Sequence, residues 1–416
     1  MATKPSNLQI DSVRLWDAIM ETAAFGATAK GGVRRLTLSE DDRKVRDWFR
    51  TACEAAGCKV YVDELGAMFA VRPGRDNSKL PVGFGSHLDT QPTGGKFDGI
   101  LGTLAGLEVI RTLNDAGIET DAPLCLVNWT NEEGSRFAPA MMASAAYVGD
   151  FTVDDVLSRK DADGITVGEA LDKIGYRGSE KSGTRKFGAF VELHIEQGPL
   201  LEAEGKTIGV VNHGQGVAWY DGYITGFESH AGTTPMPLRR DALSTLAEIA
   251  LAIERLTLAR GPNAVATVGE ASIKSPSRNV IPGEMRFTLD LRSADADIIA
   301  TLDKEIRAEI ASIAARRKVA VSFERIWYKP PTHFDPTIVD AVEQATKEQG
   351  FSYRRIVSGA GHDACNLNTV VPSAMIFVPC KDGVSHNELE DATQADCAAG
   401  GNVLLHTILS LAGVAG

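Results

Sequence analysis

Apolar residues recur with two different periods along the first third of the chain. Val45, Trp48, Phe49 and Ala52 fall at helical spacing, and Ser39 stands just ahead as a capping residue. An amphipathic helix is therefore predicted over residues 41–56. Residues 59–63 and 68–72 read as strands with a turn at Gly66, and residues 81–86 form a short apolar run that suits a buried strand. Residues 99–116 predict a long helix closed by Gly117, and residues 124–130 another buried strand. Alternation of this kind predicts an α/β layer around a mostly parallel sheet.

The middle of the chain has a different rhythm. Residues 219–227 alternate as a strand, and residues 241–260 predict a helix closed by Gly261-Pro262. A strand over 284–292, a long helix over 295–317 and a strand over 319–327 follow, ended by Pro330-Pro331. This is a β-α-β-β-α-β-like, ferredoxin-like α+β block. From Thr332 the α/β pattern resumes and ends in a helix over 392–412. The expected architecture is a discontinuous α/β catalytic domain with a mixed, mostly parallel sheet, built from residues 1–213 and 330–416. A second domain, 214–329, is inserted in it.

Composition agrees with two domains, since 416 residues exceed what one core usually holds. There are 43 Lys and Arg against 55 Asp and Glu, a net charge of −12, and no basic run marks a nucleic-acid surface. No apolar run approaches the ~20 residues of a membrane span, and no charged segment followed by a hydrophobic stretch suggests a secretory signal. The six cysteines are scattered without a CxxC pair, which fits thiols in a cytoplasmic protein better than a Cys-type zinc site.

Candidate chemistry sits where apolar runs end. Gly85-Ser86-His87-Leu88-Asp89 delivers a His and an Asp two residues apart at a predicted strand end, where open α/β sheets bind ligands. Asp89 can orient His87 or a neighbour from behind; the plainer alternative is a turn His with an Asp cap. Asp98, in Gly94-Gly95-Lys96-Phe97-Asp98-Gly99, is either a helix cap or a carboxylate placed to bridge two cations. Glu132 and Glu133 follow the 124–130 strand. Adjacent carboxylates there are costly unless solvated or partnered; with a metal, one ligates and the other deprotonates the attacking water. His194 shares a strand face with Glu192 and Glu196, and His386, in Ser385-His386-Asn387-Glu388, follows the apolar run 373–378. Together these His and carboxylate side chains match the N/O donor set of Zn²⁺, Mn²⁺ or Co²⁺. There is no GxSxG elbow and no HExxH helix. Cys365, beside His362-Asp363, is the remaining conceivable nucleophile, and the metal set leaves it no task.

In this order the motifs HLD, FDG, NEE, HIEQGP and SHNE resemble the M20 metallopeptidase-type family. TQPTGGKFDG, TNEEGSRF, ELHIEQGP and ESHAGTTPM are similar, more narrowly, to its hydantoinase/carbamoylase branch. That branch holds N-carbamoyl-L-amino acid hydrolases, β-ureidopropionases and allantoate amidohydrolases. The resemblance implies two divalent metal ions. His87 and His194 would bind one, Glu133 and His386 the other, and Asp98 would bridge. Glu132 would be general base and then general acid, with Asp89 orienting His87. The inserted domain would serve as lid and dimerisation domain of a homodimer, with His230 reaching the partner's site to stabilise the oxyanion. Asn279 and Arg292 would clamp the substrate carboxylate, and Gln197 and Gly361 would line the pocket. His362 is expected to be structural, and His213, at the first domain junction, has no assigned role. The expected reaction is hydrolysis of an N-carbamoyl-L-amino acid, with ureidopropionate or allantoate as alternative ureido substrates. An aminopeptidase or dipeptidase, or an inactive binding protein on this fold, are further alternatives.

Overall fold

Four apolar runs become the centre of one sheet. Leu124–Trp129, Val82–His87, Ala189–Ile195 and Ser373–Val378 lie side by side in that order, all parallel. The computed structural model, which describes residues 7–414, buries every residue of these four strands. Burial on both faces is why they show no polar alternation in the sequence. Met68–Arg72 and then Lys59–Val62 extend one side antiparallel; on the other, Ile208–Gly214 runs antiparallel to Ser373–Val378, Thr332–His333 pairs antiparallel with it, and Tyr353–Ser358 also pairs with it, making a mixed sheet of nine strands. The helix Ile100–Asp115 is buried along most of its length and packs on the sheet and on the last helix, Gln394–Ala412. Among the described residues no helix is long and apolar enough to cross a membrane.

Residues 7–212 and 334–414 form one unit, and residues 213–333 form a second. The sequence puts the joins at 213/214 and 329/330. The difference comes from a short ladder, Thr332 on Gly214 and His333 on His213, which holds the end of the second unit beside its start. The second unit is an antiparallel sheet in the order Ala271–Ile273, Glu284–Ser293, Gly216–Thr225, Ala320–Lys329, with Ala264–Thr267 also pairing with Glu284–Ser293. Its strand Gly216–Thr225 alternates buried and accessible positions. Tyr220, Ile224, Phe287 and Leu289 pack against Leu246, Ile249, Ile299 and Leu302 of the helices Ala242–Leu258 and Ala296–Arg317. This is the expected α+β block.

The structure adds elements that the periodicity does not predict. Asp11 caps the helix Ser12–Thr22 by accepting the N–H groups of Val13 and Arg14. Three short helices, Met142–Val148, Val153–Ser158 and Val167–Ile174, fill the stretch before Ala189. All six cysteines are buried thiols.

Candidate metal centre

The parallel strands deliver polar side chains at their carboxyl ends, the usual ligand edge of an α/β sheet. His87 is the last residue of its strand and His194 the last but one of its own. Glu132 and Glu133 follow Leu124–Trp129, and His386 lies in the loop between Ser373–Val378 and the last helix. Asp98 comes from the loop that opens Ile100–Asp115. Gly99, at φ +71°, lets that loop press on His87: a Cβ there would lie 2.3 Å from the imidazole.

Two donor sets result, and Asp98 belongs to both. His87, Asp98 and His194 form a buried set; Asp98, Glu133 and His386 form a second, with His386 half exposed. His194 Nε2 lies 3.1 Å and His87 Nε2 3.6 Å from Asp98 Oδ1. His386 Nε2 lies 3.3 Å from Asp98 Oδ2 and 3.5 Å from Glu133 Oε2. Glu132 Oε2 stands 3.5 Å from His87 Nε2. The Nδ1 atoms of His87 and His194 each lie 2.9 Å from a main-chain carbonyl, of Asp89 and Ile195 respectively. Donation there leaves both Nε2 lone pairs aimed into the cluster. His87 Nε2 is buried with no hydrogen-bond partner. An orphaned imidazole nitrogen among carboxylates is what a divalent cation would satisfy, so the residues fit such an ion.

The electrostatics also call for positive charge. Burial, then the repulsion of Asp98, pushes Glu133 up to about 8. Burial pushes Glu132 well above the usual carboxylate range, with His87 opposing and Asp363 and Glu133 reinforcing. Burial would depress His87, yet Glu132, Asp98 and Asp89 outweigh it and raise it. Asp98, despite its burial, is held low by the imidazoles of His194, His386 and His87 that surround it.

Asp89 is placed differently from the sequence expectation. Its carbonyl, not its carboxylate, meets His87 Nδ1; the carboxylate Oδ1 is 3.8 Å away. The carboxylate instead faces the N–H groups of Glu132 and Glu133, each at 3.4 Å. Gln197, at φ +56°, donates from Nε2 to Asp98 Oδ2 at 2.8 Å and to Ser385 Oγ at 3.1 Å. Asn131 and His386 also have positive φ, so strained backbone gathers at this cluster. His362 is buried, its ring 4.5 Å from that of His194, and burial holds it neutral, well below the usual imidazole range. Gly361 lies against Met141, whose Cε would be 2.8 Å from a Cβ at that position. His213 packs edge-on against His333 at 4.6 Å.

His230, Asn279 and Arg292 belong to the second unit. His230 Nδ1 accepts the N–H groups of Gly232 and Thr233, at 3.0 and 3.2 Å, which puts the ring proton on the exposed Nε2. Asn279 is held on the neighbouring segment: its carbonyl accepts Ala231 N–H, and its Oδ1 accepts the Ser277 hydroxyl. Arg292 places Nε and Nη2 on the two oxygens of Asp290, both at 2.9 Å.

Two contributors carry no sequence signal of their own. Gln91 grips Glu133 twice, with its main-chain N–H on Oε1 and its Nε2 on Oε2. Glu390 accepts the N–H groups of Phe97 and Asp98. Gln91 lies inside the TQPTGG motif, which hints at it; nothing in the sequence marks Glu390.

A sheet that presents His and carboxylate donors around a shared aspartate defines a family of hydrolases that use divalent metal ions. The chain belongs to peptidase family M20/M25/M40, whose model matches residues 83–410. It is 46% identical to an N-carbamoyl-L-amino-acid amidohydrolase of Rhizobium meliloti over 412 residues, covering 99% of both chains. It is 38% identical to an N-carbamoyl-L-amino acid amidohydrolase of Geobacillus stearothermophilus, covering 97% of this chain and 99% of that one. Among solved structures, an amidase of the hydantoinase/carbamoylase family from Burkholderia multivorans superimposes with a TM-score of 0.94 at 53% identity, covering 98% of this chain and 99% of that one.

Proposed function

We propose that this chain removes the carbamoyl group from an N-carbamoyl-L-amino acid, releasing the amino acid, ammonia and carbon dioxide, with two divalent ions of Zn, Mn or Co. One observation carries the reading: Asp98 stands between two donor sets, and the buried carboxylate of Glu132 lies beside them without belonging to either. The full-length similarity to two carbamoyl amidohydrolases supports the substrate class.

When bound, such ions polarise the scissile carbonyl and lower the pKa of water towards ~7. We assign His87 and His194 to one ion, Glu133 and His386 to the other, and Asp98 to both. Glu132 takes the proton of the attacking water and passes it to the leaving nitrogen. The carbamate released then gives ammonia and carbon dioxide. Arg292 and Asn279 bind the substrate carboxylate, a task for which a guanidinium fork is suited. Gln197 and Gly361 line the pocket. His230, from the partner in a homodimer, donates its Nε2 proton to the developing oxyanion.

The test is ammonia release after reloading with Mn²⁺, Co²⁺ or Zn²⁺, from N-carbamoyl-L-methionine, N-carbamoyl-β-alanine and allantoate. A dipeptide, followed by amine release, is the control. Metal-dependent turnover of the carbamoyl amino acid with the dipeptide untouched is expected. Turnover of the dipeptide alone overturns the reading in favour of a peptidase.

A further inference from the structure

Glu390 lies just past His386, yet its side chain reaches the loop of Asp98. It is 5% exposed. Its Oε1 accepts the main-chain N–H groups of Phe97 at 3.2 Å and Asp98 at 3.0 Å, and its Oε2 accepts the Ser385 hydroxyl at 2.8 Å. Gly95 makes room for this approach, since a Cβ there would lie 2.2 Å from Oε1. One carboxylate thus holds the backbone of the aspartate common to both donor sets and the side chain directly before His386.

The remaining hydrogen bonds sharpen the picture. The Ser385 hydroxyl has one proton and two carboxylates in reach, Glu390 Oε2 at 2.8 Å and Asp98 Oδ2 at 3.2 Å. Donation to Glu390 takes one donor off Asp98 Oδ2, which still accepts Gln197 Nε2, at 2.8 Å. His87 and His194 need no such tie. They stand on strands and are oriented by carbonyls of their own segments. His386 sits on a loop, half exposed, with a positive φ.

We propose that Glu390 is a positioning residue that ties the Asp98 loop to the His386 loop and so sets the second donor set, Asp98, Glu133 and His386. The proposal rests on the two-cation reading above. Hydrogen-bonding groups behind metal ligands typically contribute about 10–100-fold to metal affinity.

The experiment compares Glu390→Met and Glu390→Gln in the full chain with the unaltered protein. Co²⁺ is titrated into each, and bound metal and the visible absorption of Co²⁺ are read alongside kcat and KM. Methionine fills the space but accepts nothing; glutamine keeps an acceptor for the two N–H groups. Glu390→Met is expected to hold one Co²⁺ normally and the other at least about tenfold more weakly, with an altered spectrum. Glu390→Gln is expected to restore the second site and its spectrum. Normal binding and spectrum in Glu390→Met overturn the proposal. Equal losses in both variants overturn it too, because they point to charge rather than hydrogen bonding. If Glu390→Met does not fold, Ser385→Ala, which removes the Glu390 link towards His386 together with the Ser385 contacts to Asp98 and Gln197, carries the test: selective weakening of one site supports the proposal and unchanged binding overturns it. Unaltered protein that takes up a single Co²⁺ sinks the two-cation reading itself, and Glu390's role with it.

Discussion

Glu132 and Glu133 are neighbours in sequence but not in circumstance. Gln91 grips both oxygens of Glu133, whereas Glu132 Oε2 faces His87 Nε2. This arrangement agrees with the proposed division, Glu133 as a ligand and Glu132 as the proton carrier. Glu132→Gln is expected to lower kcat by about 10²–10⁴-fold while metal content, measured by elemental analysis, stays unchanged. His194→Ala is expected to lose metal first. Turnover of Glu132→Gln close to that of the parent would remove Glu132 from the proton path. At this scale the sequence marks His87, Glu133, His194 and His386 as polar residues at or near the ends of buried apolar runs, and Asp98 as a carboxylate in a glycine-rich loop that opens a helix. Which of them would share an ion is an expectation that rests on the family resemblance alone. Glu390 was not readable: its partner Asp98 lies 292 positions away, and hydrogen bonds over such separations leave no period. Asp89 meets His87 as expected, but through a different atom. The Asp89 carboxylate turns towards the Glu132 and Glu133 amides, and only its carbonyl remains for the ring.

The helix Glu40–Ala55 carries a buried ion pair that supports one of the strand ends. Arg46 Nε donates to Asp42 Oδ2 at 2.8 Å, and both side chains are fully buried. Its other nitrogens reach the Gly66 carbonyl and the Thr130 hydroxyl, and Thr130 closes the segment that leads to Glu132. Removing one partner of a buried pair leaves the other charged and unpaired. Arg46→Met is therefore expected to cost about 3–5 kcal/mol of stability, seen as a lower midpoint in chemical denaturation. Replacing Asp42 by Asn as well should recover much of that loss; no loss in the single variant would show that Asp42 finds another partner. Periodicity placed this helix correctly through Val45 and Phe49, but it says nothing of Arg46. Apolar spacing reports which residues prefer the core, not which charges are buried in pairs. The short helices between Met142 and Ile174 escaped for a related reason, being too brief to show a repeat.

The molecule joins two units with separate cores, the second at 213–333, where the change in apolar spacing led to an expected insertion at 214–329. The proposed homodimer adds a test at this scale. His230→Ala is expected to keep metal and lose about 10²–10³-fold in kcat. Mixed dimers of His230→Ala with Glu132→Gln, each nearly inactive alone, should regain activity if His230 serves the partner's site, since one of the two sites is then intact. Mixed dimers that stay inactive would confine His230 to its own chain. The order of the segments also has a consequence for synthesis. The fourth parallel strand, Ser373–Val378, and His386 come after the insertion, so a ribosome has made nearly the whole polypeptide before the second donor set can exist. The chain is thus begun without its chemistry, and an interrupted translation product ends before the donor set of Asp98, Glu133 and His386 is complete.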